Sequence, residues 1–127
     1  MQSLECGQQI QARLRTQLEG GQKEAQLAIG MQTYYGTCGG PRDQQAGLAL
    51  IQKSALQDYP PALFALGQVY QFMPRSADAA KMYEAASRRA YQRAEWELGN
   101  LYESADPSVR DYVAAYAWYS LAASRTD

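Results

Sequence analysis

"ALFALGQVYQF", Ala62–Phe72, and "AEWELGNLYES", Ala94–Ser104, decide the fold. Each opens on alanine, has a Leu-Gly pair at its fifth and sixth places and a tyrosine at its ninth, and the second starts 32 residues after the first. A weaker copy upstream keeps Ala25 and Ile29-Gly30. A second motif follows each copy: "MYEAAS" at Met82–Ser87, "WYSLAA" at Trp118–Ala123 and a degraded "LIQKSA" at Leu50–Ala55. Self-similarity of this period is the mark of stacked helical hairpins.

The distances between landmarks support that reading. Leu50 to Ala62 and Met82 to Ala94 are both 12 residues, and Ala55 to Ala62 and Ser87 to Ala94 are both 7. The opposite gap varies: Gly30 to Gly47 is 17, Gly67 to Ala79 is 12 and Gly99 to Ala115 is 16. A fixed turn alternating with a variable loop confines insertions to one face of a solenoid. Ala62, Leu66 and Tyr70 recur at helical spacing, as do Trp118 and Ala122. Glycine inside a helix costs about 1 kcal/mol against alanine, so Gly30, Gly67 and Gly99 predict close helix crossings. Ala62, Ala94, Tyr70, Tyr102 and Trp118 are the other structural positions of the pattern. Breakers gather in "GTCGGPRD", "MPRSAD" and "ADPSVRD", with Ser76 and Ser108 as expected caps of the helices that follow.

The pattern "A…LG..Y", a loop, then "D…A..WY..AA" resembles the Sel1-like repeat, a relative of the tetratricopeptide repeat. The third unit fits best, through Leu98, Gly99, Tyr102, Asp111, Ala115, Trp118, Tyr119, Ala122 and Ala123. The second keeps Leu66, Gly67, Tyr70, Ala79, Tyr83 and Ala86 with a shortened loop. The first keeps Gly30, Gly36, Asp43 and Ala55, but has Thr33 where tyrosine is usual and Cys38 where a second loop glycine is usual. The resemblance implies an all-α, right-handed superhelical solenoid in one domain, with repeats over 23–55, 60–88 and 92–124.

Residues 4–19 stand where the second helix of a preceding repeat would be, with Ile10, Leu14 and Leu18 as an apolar stripe. We expect a helix there that caps the open end. A hairpin turning near Gly21 runs 15 residues back to Cys6 and 17 forward to Cys38, which predicts a Cys6–Cys38 disulfide. Such a bridge is worth roughly 3–4 kcal/mol and belongs to an oxidising compartment, periplasmic or secreted. Two reduced cysteines in a cytoplasmic chain are the alternative. The N-terminal stretch lacks the apolar core of a signal peptide, as either a cytosolic protein or a processed one would.

The composition narrows the function. The 127 residues include no histidine, which removes the commonest general base and metal ligand together. Twelve basic against thirteen acidic residues offer no electrostatic reason to bind nucleic acid, and no apolar run approaches the ~20 residues of a membrane span. Glu103, Asp106 and Asp111 fall in loop and cap positions, and "GTCGGPRD" lacks the Lys-Ser/Thr of a phosphate loop. Catalysis, metals and cofactors are therefore not expected.

In tetratricopeptide-type solenoids the first helix of each pair lines a concave groove. The resemblance carries that role to Leu27, Met31, Tyr34 and Tyr35 in the first unit. In the second it falls on Phe64, Gln68, Gln71 and Phe72, and in the third on Trp96, Asn100, Glu103 and Ser104. Large aromatics beside adaptable polar groups suit a protein interface. Leu27, Phe64 and Trp96 have the alternative role of packing between helices, and Tyr34-Tyr35 is the expected exposed pair. The basic "SRRAYQR" at Ser87–Arg93 reads as a solvated edge. The expected function is non-catalytic protein binding by a chain that is monomeric when free. Small Sel1-like proteins of exported compartments include immunity proteins that neutralise secreted toxins, among them type VI lipase effectors. An envelope assembly subunit and a cytosolic signalling adaptor remain open.

Overall fold

A computed structural model of the chain describes residues 17, 19–37, 42–104 and 106–125. The expected cap over 4–19 lies outside them except for residues 17 and 19, which are helical, and Cys6 and Cys38 lie outside them altogether. The described residues form six α-helices and no strand, and the chain divides into two compact units, Met1–Ala62 and Leu63–Asp127.

The first unit is a hairpin of α1 (Lys23–Tyr35) and α2 (Gln44–Ala55). α1 ends at Gly36, whose φ of 69° is open to glycine and whose N–H donates to the Gln32 carbonyl at 2.8 Å. Asp43 starts α2 by accepting the Ala46 N–H at 3.1 Å. Ala25, Ile29, Ile51 and Ala55 are buried between the helices. The crossing is tight at Gly47, where a Cβ would lie 2.6 Å from Tyr34 Cα and 2.7 Å from the Gly30 carbonyl oxygen. Backbone faces backbone there. Ser54 Oγ donates to the Lys23 carbonyl at 2.7 Å and Gln57 Nε2 donates to Gln26 Oε1 at 2.7 Å, whereas the buried Gln32 Oε1 has no partner among the described residues.

α3 (Pro60–Phe72) begins at the end of the first unit and runs into the second. Its opening prolines suit a first turn, whose N–H groups have no helical acceptor. The second unit continues with α4 (Ser76–Ser87), α5 (Gln92–Glu103) and α6 (Tyr112–Ser124). Between α3 and α4, Arg75 lies 4.5 Å over the Tyr70 ring and pairs with Asp78 at 2.8 Å. Asp111, not Ser108, caps α6, accepting the N–H groups of Val113 and Ala114 at 3.1 and 3.0 Å. Ser108 instead donates to Asp106, and Ser76 is the first residue of α4 rather than its cap. A carboxylate satisfies two orphan N–H groups and the helix dipole together, which a hydroxyl does less well.

Tyr83 is fully buried against Gly67, where a Cβ would come 2.6 Å from the ring, and Tyr119 covers Gly99 in the same way. Sequence and structure agree on these two glycines for one reason: an aromatic ring needs the space.

Candidate partner-binding surface

On α1 the expected exposed pair divides. Tyr34 is only 6% exposed, its backbone pressed on Gly47, while Tyr35 is 41% exposed with the two rings edge-on at 4.9 Å. The expectation is therefore corrected at Tyr34, which is a packing residue. Burial, then the neighbouring Tyr34, raise the pKa of the Tyr35 phenol. Met31 is half-buried beside them.

On α3, Phe64 is buried between the rings of Tyr83 at 5.6 Å and Tyr91 at 5.5 Å, with the Arg93 guanidinium 4.7 Å over its face. Packing, the alternative reading of this position, describes it. Gln71 Oε1 accepts the Tyr83 hydroxyl, Gln68 is half-buried, and Phe72 at the helix end is exposed.

Of the third repeat's four candidates α5 holds three, and Ser104 is its C-terminal cap. Trp96, Asn100 and Glu103 stand at i, i+4 and i+7 and are all exposed. The Trp96 ring lies 5.7 Å from that of Tyr119, whose hydroxyl donates to Asn100 Oδ1 at 2.7 Å. Burial raises the Tyr119 pKa, followed by the nearby carboxylates of Glu103 and Glu97. The phenol therefore stays neutral. Tyr119 entered the sequence reading only as a repeat position. Its register, matching that of Tyr83 in "MYEAAS", was the signal that it closes over the α5 glycine.

Beneath this face lies a clasp that motif reading missed. Glu95 is fully buried, its carboxylate accepting Ser87 Oγ at 3.0 Å and Arg125 Nε at 2.7 and 2.8 Å. A buried charge survives only when so paired. α6, outside, has no charged residue from Tyr112 to Ser124 and exposes Tyr112, Val113 and Tyr116 by 65%, 81% and 75%.

Among the described residues no group of three His, Cys, Asp or Glu side chains could hold a metal ion, and no helix is long and apolar enough to cross a membrane. Asp106 has its carboxyl below the usual range because the hydroxyls of Ser76 and Ser108 hydrogen-bond to it. A general acid at neutral pH needs the opposite shift.

No family model matches the chain, and no curated protein does. Solved structures do. A protective antigen present in uropathogenic Escherichia coli strains, described as displaying an SLR fold, superposes with a TM-score of 0.77 at 20% identity. That match covers 98% of this chain and 30% of the antigen's, so the chain spans less than a third of its length. A Sel1 repeat protein from Oxalobacter formigenes gives a TM-score of 0.77 at 22% identity over 89% of this chain and 88% of its own. The fold is thus an all-α solenoid of the Sel1-repeat kind, as the spacing of the glycines and tyrosines implied.

Proposed function

We propose that the chain is a non-catalytic protein–protein interaction module of the Sel1-like repeat type, and that its second unit holds the partner. The observation that carries this is the bare face of α6. On α4, 36 residues earlier in the repeat register, Ala80 is buried and Glu84 and Ser87 bond to Tyr102 and Glu95 of α5. Tyr116, Ser120 and Ala123 occupy the same register on α6, all exposed, with Val113 a further apolar side chain one turn earlier. α6 therefore keeps the form of a helix-packing face, without charges to desolvate. A helix of a partner protein fits such a face through apolar anchors at helical spacing. Trp96, with Asn100 and Glu103 beside it, has the character of an interface anchor ringed by polar groups.

Within that class the reading is a periplasmic immunity protein that neutralises a secreted toxin such as a type VI lipase effector. The expected Cys6–Cys38 bridge and the apolar docking face support it. The test is a photo-crosslinker at position 116 in the native host, followed by affinity measurement on the purified pair. One exported partner, bound with nanomolar Kd and released by Val113→Asp with Tyr116→Asp at unchanged melting temperature, is the expected result. Unchanged affinity in that double variant overturns the α6 reading. Self-association of the free chain would assign it to an envelope assembly, and free thiols on Cys6 and Cys38 in the native host would make it a cytosolic adaptor.

A further inference from the structure

Between α4 and the segment leading into α6, the second unit has an open cleft of about 450 Å³, with Lys81, Glu84, Tyr102, Arg110 and Asp111 among its lining residues. Its charges are not equivalent. Both carboxylates are already engaged: Glu84 Oε1 accepts the Tyr102 hydroxyl at 2.9 Å, and Asp111 Oδ1 accepts the two N–H groups at the start of α6. Both cations are free. Neither the Lys81 ammonium nor the Arg110 guanidinium has a hydrogen-bond or ion-pair partner among the described residues, whereas Arg75 and Arg125 are each held by a carboxylate. Lys81 stands three residues from Glu84 on α4 and still makes no ion pair with it.

The cleft is also built rather than incidental. The Arg110 N–H donates to the Asp106 carbonyl at 3.0 Å, and the next N–H, of Asp111, donates to the Tyr102 carbonyl at 2.7 Å. Asp106 is in turn fixed by Ser108 through its N–H at 3.0 Å and its hydroxyl at 2.7 Å. The backbone under Arg110 is therefore ordered before any ligand arrives, which lowers the cost of binding. Burial first, and then the hydrogen bond and charge of Glu84, push the Tyr102 phenol up to about 12, so Tyr102 keeps its proton and keeps Glu84 occupied.

We propose that this cleft binds an acidic segment of the partner protein, with an aspartate or glutamate carboxylate seated between Lys81 and Arg110. Arginine supplies a planar fork for a carboxylate and lysine a point charge, so the pair suits one acidic group with a second nearby. The cleft shares Asp111 with the N-terminal end of α6. A partner helix lying on Tyr112, Val113 and Tyr116 would bring its acidic residues to this end. The assignment rests on the interaction-module reading but is tested apart from it, because the probe is a peptide and not the partner.

The probe is N-acetylated, C-amidated hexaglutamate, which has no terminal carboxylate, titrated into isotope-labelled full chain and followed by amide shifts. Hexaglutamine is the control. The expected result is salt-sensitive shifts at Lys81, Tyr102 and Arg110, none with hexaglutamine, and an affinity reduced about tenfold or more by Lys81→Gln with Arg110→Gln. Both side chains lie at the surface, so the variant should melt as the parent does. Shifts confined to Arg88 and Arg89 at the α4–α5 turn, an affinity unmoved by the double variant, or no shift at millimolar peptide each overturn the proposal. The shift map of the unaltered chain decides even if the variant fails to fold. A negative result here together with a positive crosslink at position 116 would remove the cleft and keep the interaction module.

Discussion

The first unit and the second solve the same packing problem with different atoms. In the second, Tyr83 and Tyr119 lay their rings over Gly67 and Gly99, and the hydroxyls reach Gln71 and Asn100 on the glycine-bearing helices. In the first, Ile51 stands at the tyrosine's place, so the crossing has no ring and no phenol there. The helices close instead at Gly47, where the other repeats have the buried Ala79 and Ala115. Loss of a ring on one helix is thus matched by loss of a methyl one turn earlier on the same helix. A close crossing can be filled by an aromatic plate or emptied to bare backbone. The two differ in what can yield: a ring can rotate, a backbone cannot.

The sharpest way to break that comparison is an alanine at each glycine. At Gly47 the added Cβ meets Tyr34 N and Cα and the Gly30 carbonyl, so the helices themselves must separate. Gly47→Ala should destabilise by about 3 kcal/mol, an overpacking cost that the better helix propensity of alanine only partly offsets. Gly67→Ala presses on Tyr83, which is fully buried and cannot swing away, and should cost about 2 kcal/mol. Tyr119 is half-exposed and can rotate outward, so Gly99→Ala should stay within about 1 kcal/mol. Denaturant melts of the three variants give the order directly. A Gly47 variant milder than the Gly99 one would sink the distinction between backbone and ring.

A second contrast sharpens it. In the first unit Gln57, just past α2, donates to Gln26 near the start of α1, and in the last repeat Arg125, just past α6, donates to Glu95 in the same register of α5. The neutral pair can be cut cheaply, the charged one not. Gln57→Ala removes two neutral hydrogen bonds of an exposed side chain, to Gln26 and to the Gly21 carbonyl, and should cost about 1 kcal/mol. Arg125→Ala leaves a fully buried carboxylate with only Ser87, and should cost about 2 kcal/mol, below the 3–5 typical of such pairs because Arg125 itself is partly exposed. Equal losses in urea melts would mean that the Glu95 charge is compensated elsewhere.

The repeat, the helix positions and the crossings at Gly67 and Gly99 were legible because they depend on local spacing, which a chain must repeat in its letters. That Trp96, Asn100 and Glu103 share one exposed face of α5 follows from 3.6 residues per turn in the same way. Tyr34 was not legible. Its burial follows from Gly47, which as a bare landmark gave no sign that the backbone of α1 rests on it. The Glu95 clasp was hidden because it joins residues 30 apart through a charge that composition treats as surface. The stretch "YVAAYAWYSLAA", apolar all round, reads as a buried helix, yet Tyr112, Val113 and Tyr116 are exposed; which side chains stay uncovered is a property of packing, not of letters.

The turns supply the smallest test of the comparison. Asp58 after α2 and Ala90 after α4 are 32 residues apart and share a left-handed backbone, with φ of 55° and 59°. That common conformation is the physical content of the fixed gap of 7 residues. Aspartate tolerates the left-handed region through its short polar side chain, whereas for alanine it costs about 1–2 kcal/mol. Ala90→Gly removes that strain and returns part of it as unfolded-chain entropy, for a net gain of about 0.5–1 kcal/mol and about 3 °C in Tm. The N–H of Ala90 donates to the Ser87 carbonyl at 2.8 Å, a bond that glycine keeps, so nothing else in the turn need change. A fall in Tm for Ala90→Gly would show that the second unit's turn is held by contacts of the Ala90 methyl, and that the two turns share a shape without sharing its cause.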